Sequence, residues 1–266
     1  MSKIGIIAGA GEFPVLMARE YTRRGFDPVI VAIEEEADKA LSEVAEIVYW
    51  QPLGKVGKIL KLLKKEGVRD IVLAGKVHKT RIFRDFRPDM KALTLLWGLK
   101  DRKDDTILNK VADILHQEGL NLLPQTTYME AYLPQKGVFT RREPSESEVN
   151  DILFGAEIAR EFGRLDIGQT VVVKNRAVMA VEAIEGTDQA ILRGCSLGNR
   201  DAVVVKVAKP NQDLRFDVPA VGLGTVKTCM DGGARVLAIE AGKTFFFQME
   251  AAVELADKHG IVLTAF

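Results

Sequence analysis

Short, fully apolar runs alternate with amphipathic stretches of helical period through the first half of the 266-residue chain. Few folds other than a parallel sheet with crossover helices satisfy that alternation. Lys3 to Ala8 reads as a buried strand that runs into Gly9-Ala10-Gly11 and then Phe13-Pro14. Pro14 suits a first helical turn, where its missing N–H costs nothing. Pro28 to Ile33, Glu46 to Trp50 and Asp70 to Ala74 read as further strands, with a helix from Val56 to Glu66 before the last. Asp104-Asp105-Thr106 opens a helix whose apolar positions Ile107, Val111, Ile114 and Leu115 share one face, and Gly119 ends it. A strand near Leu120 to Leu123 completes the sheet. The expectation for residues 1–133 is therefore a Rossmann-like, doubly wound domain.

Residues 134–149 break the pattern. Pro134, Gly137, Arg141, Arg142, Pro144, Ser145 and Ser147 crowd a stretch without apolar period, which reads as a linker. Ser145 with Glu148 three residues later has the spacing of a capping box, opening a helix through Ile152, Ile158 and Ala159. Residues 150–266 read as a smaller α/β domain. Its strands are expected at Thr170 to Val173, Ala177 to Ala183, Val203 to Val207, Val236 to Ile239 and Ile261 to Thr264, with helices at Val221 to Gly232 and Phe247 to Lys258.

Composition removes several functional classes. With 37 Lys+Arg against 37 Asp+Glu, no global field recommends nucleic acid as a partner. Cys195 and Cys229 lack CxxC spacing, which argues against structural zinc and against a disulfide framework. The N-terminal apolar run is too short for a signal peptide, and no window approaches the roughly 18 apolar residues of a membrane span, so a cytoplasmic protein is expected. One asymmetry remains, because Gln51 to Lys103 carries fifteen Lys/Arg against five Asp/Glu. Lys55, Lys58, Lys61, Lys64 and Lys65 read as a solvated helical stripe. Lys76, His78, Lys79 and Arg81 follow Gly75 at the carboxyl end of a strand, where open α/β sheets bind anions.

Three clusters carry candidate chemistry. Gly9-Ala10-Gly11 lets backbone N–H groups approach a phosphate, although Pro14 stands where the dinucleotide fingerprint has its third glycine. An acidic run, Glu34-Glu35-Glu36, stands near where a ribose-binding acid would lie and also suits a helix start. AVEAIEGTD places Glu182, Glu185 and Asp188 around a turn, with Thr187 or Asp188 suited to cap the helix that follows. Oxygen ligands of this kind suit Mg2+ on a diphosphate. The stretch VKVAKPNQDLRFDVPAVG sets Lys209, Asp213, Arg215 and Asp217 in one loop, where cations can hold phosphate and a carboxylate can hold a metal or orient water. No GxSxG, Walker or HExxH pattern is present, and neither cysteine has basic neighbours that would favour a thiolate.

Taken in order, GIIAGAGEFP, LAGKV, AVEAIEGTD and VKVAKPNQDLRFDVPAVG resemble the LpxI family of UDP-2,3-diacylglucosamine pyrophosphatases over nearly the whole chain. The resemblance implies a two-domain, Mg2+-dependent hydrolase of lipid A biosynthesis that cleaves UDP-2,3-diacylglucosamine to UMP and 2,3-diacylglucosamine 1-phosphate, lipid X. It implies water attack on the β-phosphorus, with the substrate between the domains and an essential C-terminal aspartate. By position that aspartate is Asp217, with Asp231 the weaker claimant. Gly9, Ala10, Gly11, Phe13, Gly75, Lys76, Thr187, Lys209 and Arg215 are the expected substrate contacts, and Glu185, Asp188 and Asp217 the expected metal ligands. Leu93, Leu95, Leu96 and Trp97 suit either an acyl lining or the core. Transient contact with the inner-membrane surface and homodimer formation are left open. The residues alone also admit an NAD(P)-dependent oxidoreductase, on Gly9, Gly11 and the acidic run, or a non-catalytic nucleotide- or lipid-binding protein.

Overall fold

The computed structural model describes residues 2–77, 88–97 and 104–266. They form two compact units: Met1–Met129 with Leu214–Phe216, and Glu130–Asp213 with Asp217–Phe266.

The first unit holds five parallel strands, β1 (Ser2–Ala8), β2 (Phe26–Ile33), β3 (Ile47–Gln51), β4 (Asp70–Ala74) and β5 (Asn121–Leu122), in the order β3-β2-β1-β4-β5. This is the Rossmann-like sheet expected from the alternation. The order reverses between β1 and β4, so the crevice beyond their carboxyl ends is the natural ligand position of such a sheet. Helices α1 (Phe13–Arg23), α2 (Leu41–Val44), α3 (Val56–Lys65), α4 (Met90–Trp97) and α5 (Asp104–Gln117) accompany it. On one face, Val29, Val31 and Ile33 of β2 pack with Ile59, Leu60 and Leu63 of α3 and Leu115 of α5. Helix α1 buries Val15, Met17, Ala18 and Tyr21, with Pro14 in its first turn.

Burial also sorts the charge runs. Lys58, Lys61, Lys64 and Lys65 are exposed on α3, as a solvated stripe should be. Glu34-Glu35-Glu36 forms a turn rather than a helix start, because Glu35 Oε2 accepts the Leu53 N–H (3.1 Å) and the next helix begins only at Leu41. Leu93 is exposed on α4, while the side chains of Leu95, Leu96 and Trp97, and all of His78, Lys79 and Arg81, lie outside the described residues.

The second unit is a mixed six-stranded sheet in the order β6-β13-β11-β9-β7-β8. Its strands are β6 (Gly137–Val138), β7 (Thr170–Lys174), β8 (Ala177–Val181), β9 (Val203–Lys206), β11 (Val236–Ile239) and β13 (Val262–Ala265), and a separate parallel pair joins β10 (Ala220–Gly222) to β12 (Phe245–Phe247). Helix α6 (Glu146–Arg164) covers one face against Val171, Val173, Val203 and Val205. Helices α7 (Thr187–Leu197), α8 (Leu223–Gly232) and α9 (Met249–His259) contribute to the opposite core with Val172, Val204 and Leu237. The two-residue period of the strands produces this division. Ser145 caps α6 and Glu148 completes the capping box.

The stretch 134–149 is part of this second fold. Strand β6 pairs antiparallel with β13, and Phe139 N–H donates to Leu263 C=O (2.9 Å). Because these residues join the sheet, the second unit matches the first in length instead of being the smaller one. Among the described residues no helix is long and apolar enough to cross a membrane.

Candidate functional site

At the carboxyl ends of β1 and β4 two backbone segments clasp each other. Ala10 N–H donates to Lys76 C=O (2.7 Å), Lys76 N–H donates back to Ala10 C=O (3.0 Å), and Gly9 N–H donates to Ala74 C=O (2.8 Å). The approach is close enough that a Cβ on Gly9 would stand 2.4 Å from Lys76 O, and one on Gly75 would stand 2.6 Å from Ala10 O. Gly9 is thus small because it abuts the main chain of Lys76, and Gly75 because it abuts that of Gly9 and Ala10. Gly11, at φ +98°, meets open space instead. Two N–H groups that the sequence offered to a phosphate are engaged by the chain itself, which weakens the dinucleotide-fingerprint reading. Phe13 opens α1 behind the clasp. Lys76 extends from the clasp into solvent and has no ion pair among the described residues, leaving its ammonium available to an anion.

In the second unit the EGTD turn is organised around a buried lysine. Lys206, the last residue of β9, is 6% exposed, and its Nζ donates to Thr187 Oγ1 (2.9 Å). Thr187 Oγ1 in turn donates to Glu182 Oε1 (2.8 Å). Thr170 stands opposite Lys206 in the β7–β9 register, and Glu182 N–H donates to Thr170 C=O (2.8 Å). Glu182 Oε2 and Thr170 Oγ1 are buried with no hydrogen-bond partner among the described residues. Neither Thr187 nor Asp188 caps α7. Its N-cap is Gly186 at φ +82°, without a side-chain bond, because the Thr187 hydroxyl is held by Lys206 and Glu182. Glu185 pairs with Arg193 (2.5 Å). Its own backbone N–H and the Arg193 guanidinium hold its carboxyl below the usual carboxylate range. Asp188 is exposed.

Removing the central amine tests this arrangement. Lys206→Met fills similar volume without the donor, and it is expected to destabilise the second unit by about 1–3 kcal/mol in urea unfolding. A change under about 0.5 kcal/mol would mean that the relay contributes nothing to the fold.

The loop after β9 carries the remaining candidates. Lys209 Nζ pairs with Asp166 (2.6 Å). Arg215 donates to Asn109 Oδ1 of α5 (3.2 Å) and lies over the Phe216 ring. Asp217 is exposed, and its Oδ2 accepts from Gln212 Nε2 (2.8 Å), while Gln212 Oε1 accepts the Lys209 N–H (3.0 Å). Gly9, Ala10, Gly11, Gly75 and Lys76 meet in the first unit. Glu182, Thr187 and Lys206 meet in the second. Glu185, Asp188 and Asp217 do not form a preassembled cage: among the described residues no three His, Cys, Asp or Glu side chains are grouped to hold a metal ion. Burial pushes the Cys195 thiol up to about 11 and raises that of Cys229 as well, so neither offers a thiolate at neutral pH.

Residues 3–132 match the family model of the LpxI N-terminal domain, and residues 135–264 match that of the LpxI C-terminal domain. The chain belongs to the LpxI family. A relative from Caulobacter vibrioides, named UDP-2,3-diacylglucosamine pyrophosphatase LpxI, is 32% identical over 274 aligned positions covering 98% of this chain and 96% of the relative. Among solved structures, the biotin carboxylase subunit of pyruvate carboxylase aligns at 15% identity and a TM-score of 0.29, covering 70% of this chain and 39% of that one. N5-carboxyaminoimidazole ribonucleotide synthetase from Thermotoga maritima aligns at 15% identity and a TM-score of 0.26, over 70% and 42%. These two likenesses are too loose to carry an argument.

Within this LpxI chain, two residues were not singled out from the sequence as parts of a site. Lys206 closes the run Val203-Val204-Val205, and a charge at the end of an otherwise buried strand is the one local hint of its role. Gln125 carries no such hint. It is 5% exposed, and its Nε2 donates to Leu73 C=O (2.8 Å) and Phe216 C=O (3.2 Å).

Proposed function

We propose that this protein hydrolyses the pyrophosphate bond of UDP-2,3-diacylglucosamine, releasing UMP and 2,3-diacylglucosamine 1-phosphate for lipid A synthesis. The observation that carries the reading is the match of both LpxI domain models across the chain, together with the full-length relative that bears this activity in its name. The site residues supply suitable chemistry. Lys76, exposed at the end of the clasp, and Arg215 offer positive charge to the diphosphate, and a side chain on Gly11 would meet open space. In the second unit Thr187, fixed by Lys206 and Glu182, presents a hydroxyl held in one orientation, while the Lys209 ammonium is already paired with Asp166.

Asp217 is the residue we assign to the reacting centre. Its carboxylate is solvent-facing and has one neutral side-chain partner among the described residues, so it can accept a proton from water or hold a cation without first breaking an ion pair. Mg2+ commonly takes one or two carboxylates, with water and substrate phosphate completing its shell. Asp217 fits that requirement and exposed Asp188 does too, whereas Glu185 is committed to Arg193. When bound, Mg2+ would neutralise charge on the diphosphate oxygens. In the hydrolysis, water oxygen bonds to the β-phosphorus, the bond from that phosphorus to the bridging oxygen breaks, and UMP leaves with the electron pair and a proton.

Purified protein with Mg2+ is expected to release UMP from the substrate, and chelation with EDTA is expected to remove at least about 90% of the rate. In 18O-water the label should appear in the lipid phosphate and not in UMP. No UMP under any divalent cation would end the reading, and label in UMP would place the attack on the other phosphorus.

A further inference from the structure

Asp213 to Asp217 form a single turn, closed by Asp217 N–H donating to Asp213 C=O (3.2 Å). Its apex, Leu214–Phe216, belongs to the first unit, while both ends belong to the second. The apex is seated on Gln125. Gln125 N–H donates to Leu214 C=O (2.7 Å), and its side-chain amide donates both to Phe216 C=O (3.2 Å) and to Leu73 C=O (2.8 Å). Leu73 lies in β4 directly before Ala74 and Gly75, the strand end that forms the clasp with Gly9 and Ala10. One buried carboxamide therefore ties the floor of the β1/β4 crevice to the residue that precedes Asp217.

The chemistry of this contact is demanding. A carboxamide nitrogen has two N–H donors, and here two separate main-chain carbonyls receive them. Gln125 is 5% exposed and Leu73 and Phe216 are half-buried, so losing the amide donors leaves two carbonyls that must recover partners by local rearrangement. Phe216 is covalently joined to Asp217, and Gln212 orients the carboxylate from the other end of the loop. A displacement of the Phe216 carbonyl is thereby passed to the catalytic side chain.

We propose that Gln125 is a positioning residue for Asp217, holding the main chain before it in register with the β4 end of the first sheet. This role rests on Asp217 acting in the hydrolysis proposed above. Misplacing a reacting group by about 1 Å can cost on the order of 100-fold in rate. Gln125→Glu keeps the shape and replaces donors with a carboxylate facing two carbonyls. Its kcat at neutral pH is expected to fall about 10- to 100-fold with KM within about threefold of wild type.

The pH profile distinguishes this role from general damage. Burial and acceptor neighbours favour the protonated carboxyl, which regains one donor, so the kcat ratio of Gln125→Glu to wild type should rise as pH falls. Gln125→Leu should show the loss without that recovery. A Gln125→Glu enzyme with kcat within twofold of an active wild type, and a flat ratio across pH, overturns the role of Gln125 alone. A wild type that fails to hydrolyse the substrate overturns the functional reading and, with it, the catalytic meaning of the grip. Amide hydrogen exchange reads the grip independently of turnover. Residues 214–218 should lose protection at least about tenfold in Gln125→Leu while β1 and β2 keep theirs, and unchanged protection there overturns the proposal.

Discussion

Asp217→Ala is expected to remain folded, to bind substrate near the wild-type level, and to turn it over at least about 1,000-fold more slowly. The fold should tolerate the change because Asp217 is exposed and its side chain bonds only Gln212 among the described residues. Surface substitutions of that kind usually stay within about 0.5 kcal/mol. The rate should not tolerate it, since a carboxylate that helps charge develop correctly at phosphorus acts more on the transition state than on the bound ground state. Single-turnover kinetics with equilibrium binding separates the two effects. Asp217→Asn, which keeps an acceptor for Gln212 but no charge, should be nearly as slow. A rate within tenfold of wild type for Asp217→Ala would move the reacting carboxylate elsewhere, with Asp231 the next to test.

Gly9→Ala should be among the most destabilising single-methyl additions in the first unit, by about 2–4 kcal/mol. The new Cβ would stand 2.4 Å from Lys76 O, 3.0 Å from Lys76 C and 3.2 Å from Lys76 N, all main-chain atoms of a segment hydrogen-bonded to Ala10. A side chain could swing aside, whereas this backbone can yield only by opening the clasp. Gly11→Ala makes a useful contrast, because nothing crowds its Cβ and the cost comes from φ +98° alone, about 1–3 kcal/mol. Urea unfolding of the two variants gives the comparison directly. A loss under about 1 kcal/mol for Gly9→Ala would show that the crevice floor is softer than its geometry implies.

The long elements were legible because their patterns are local. Asp70 to Ala74 is an apolar run stopped by Gly75, and it appears as β4 with those bounds. Ser145 and Glu148 predict their own capping box, which the structure contains. Strands β10 and β12 each span only three residues, too short to show a period, and the pattern alone assigns Phe247 to the following helix, although it closes β12. The candidate site divides in the same way. Glycines and the EGTD turn announce themselves by composition, but the reason Gly9 is small lies in Lys76, far along the chain. Gln125 sits among Pro124, Thr126 and Thr127 with no neighbour that marks it. Its partners at Leu73 and Phe216 are main-chain carbonyls, which any residue could have supplied, so no side-chain pattern could have identified them.

That last property has an evolutionary consequence. A latch that recognises only peptide oxygens is indifferent to the identities of the residues it holds. Leu214 and Phe216 can therefore drift, or be exchanged by loop grafting from another lineage, without loosening the fastening. Selection would concentrate on position 125, where shortening or charging the side chain is felt at once.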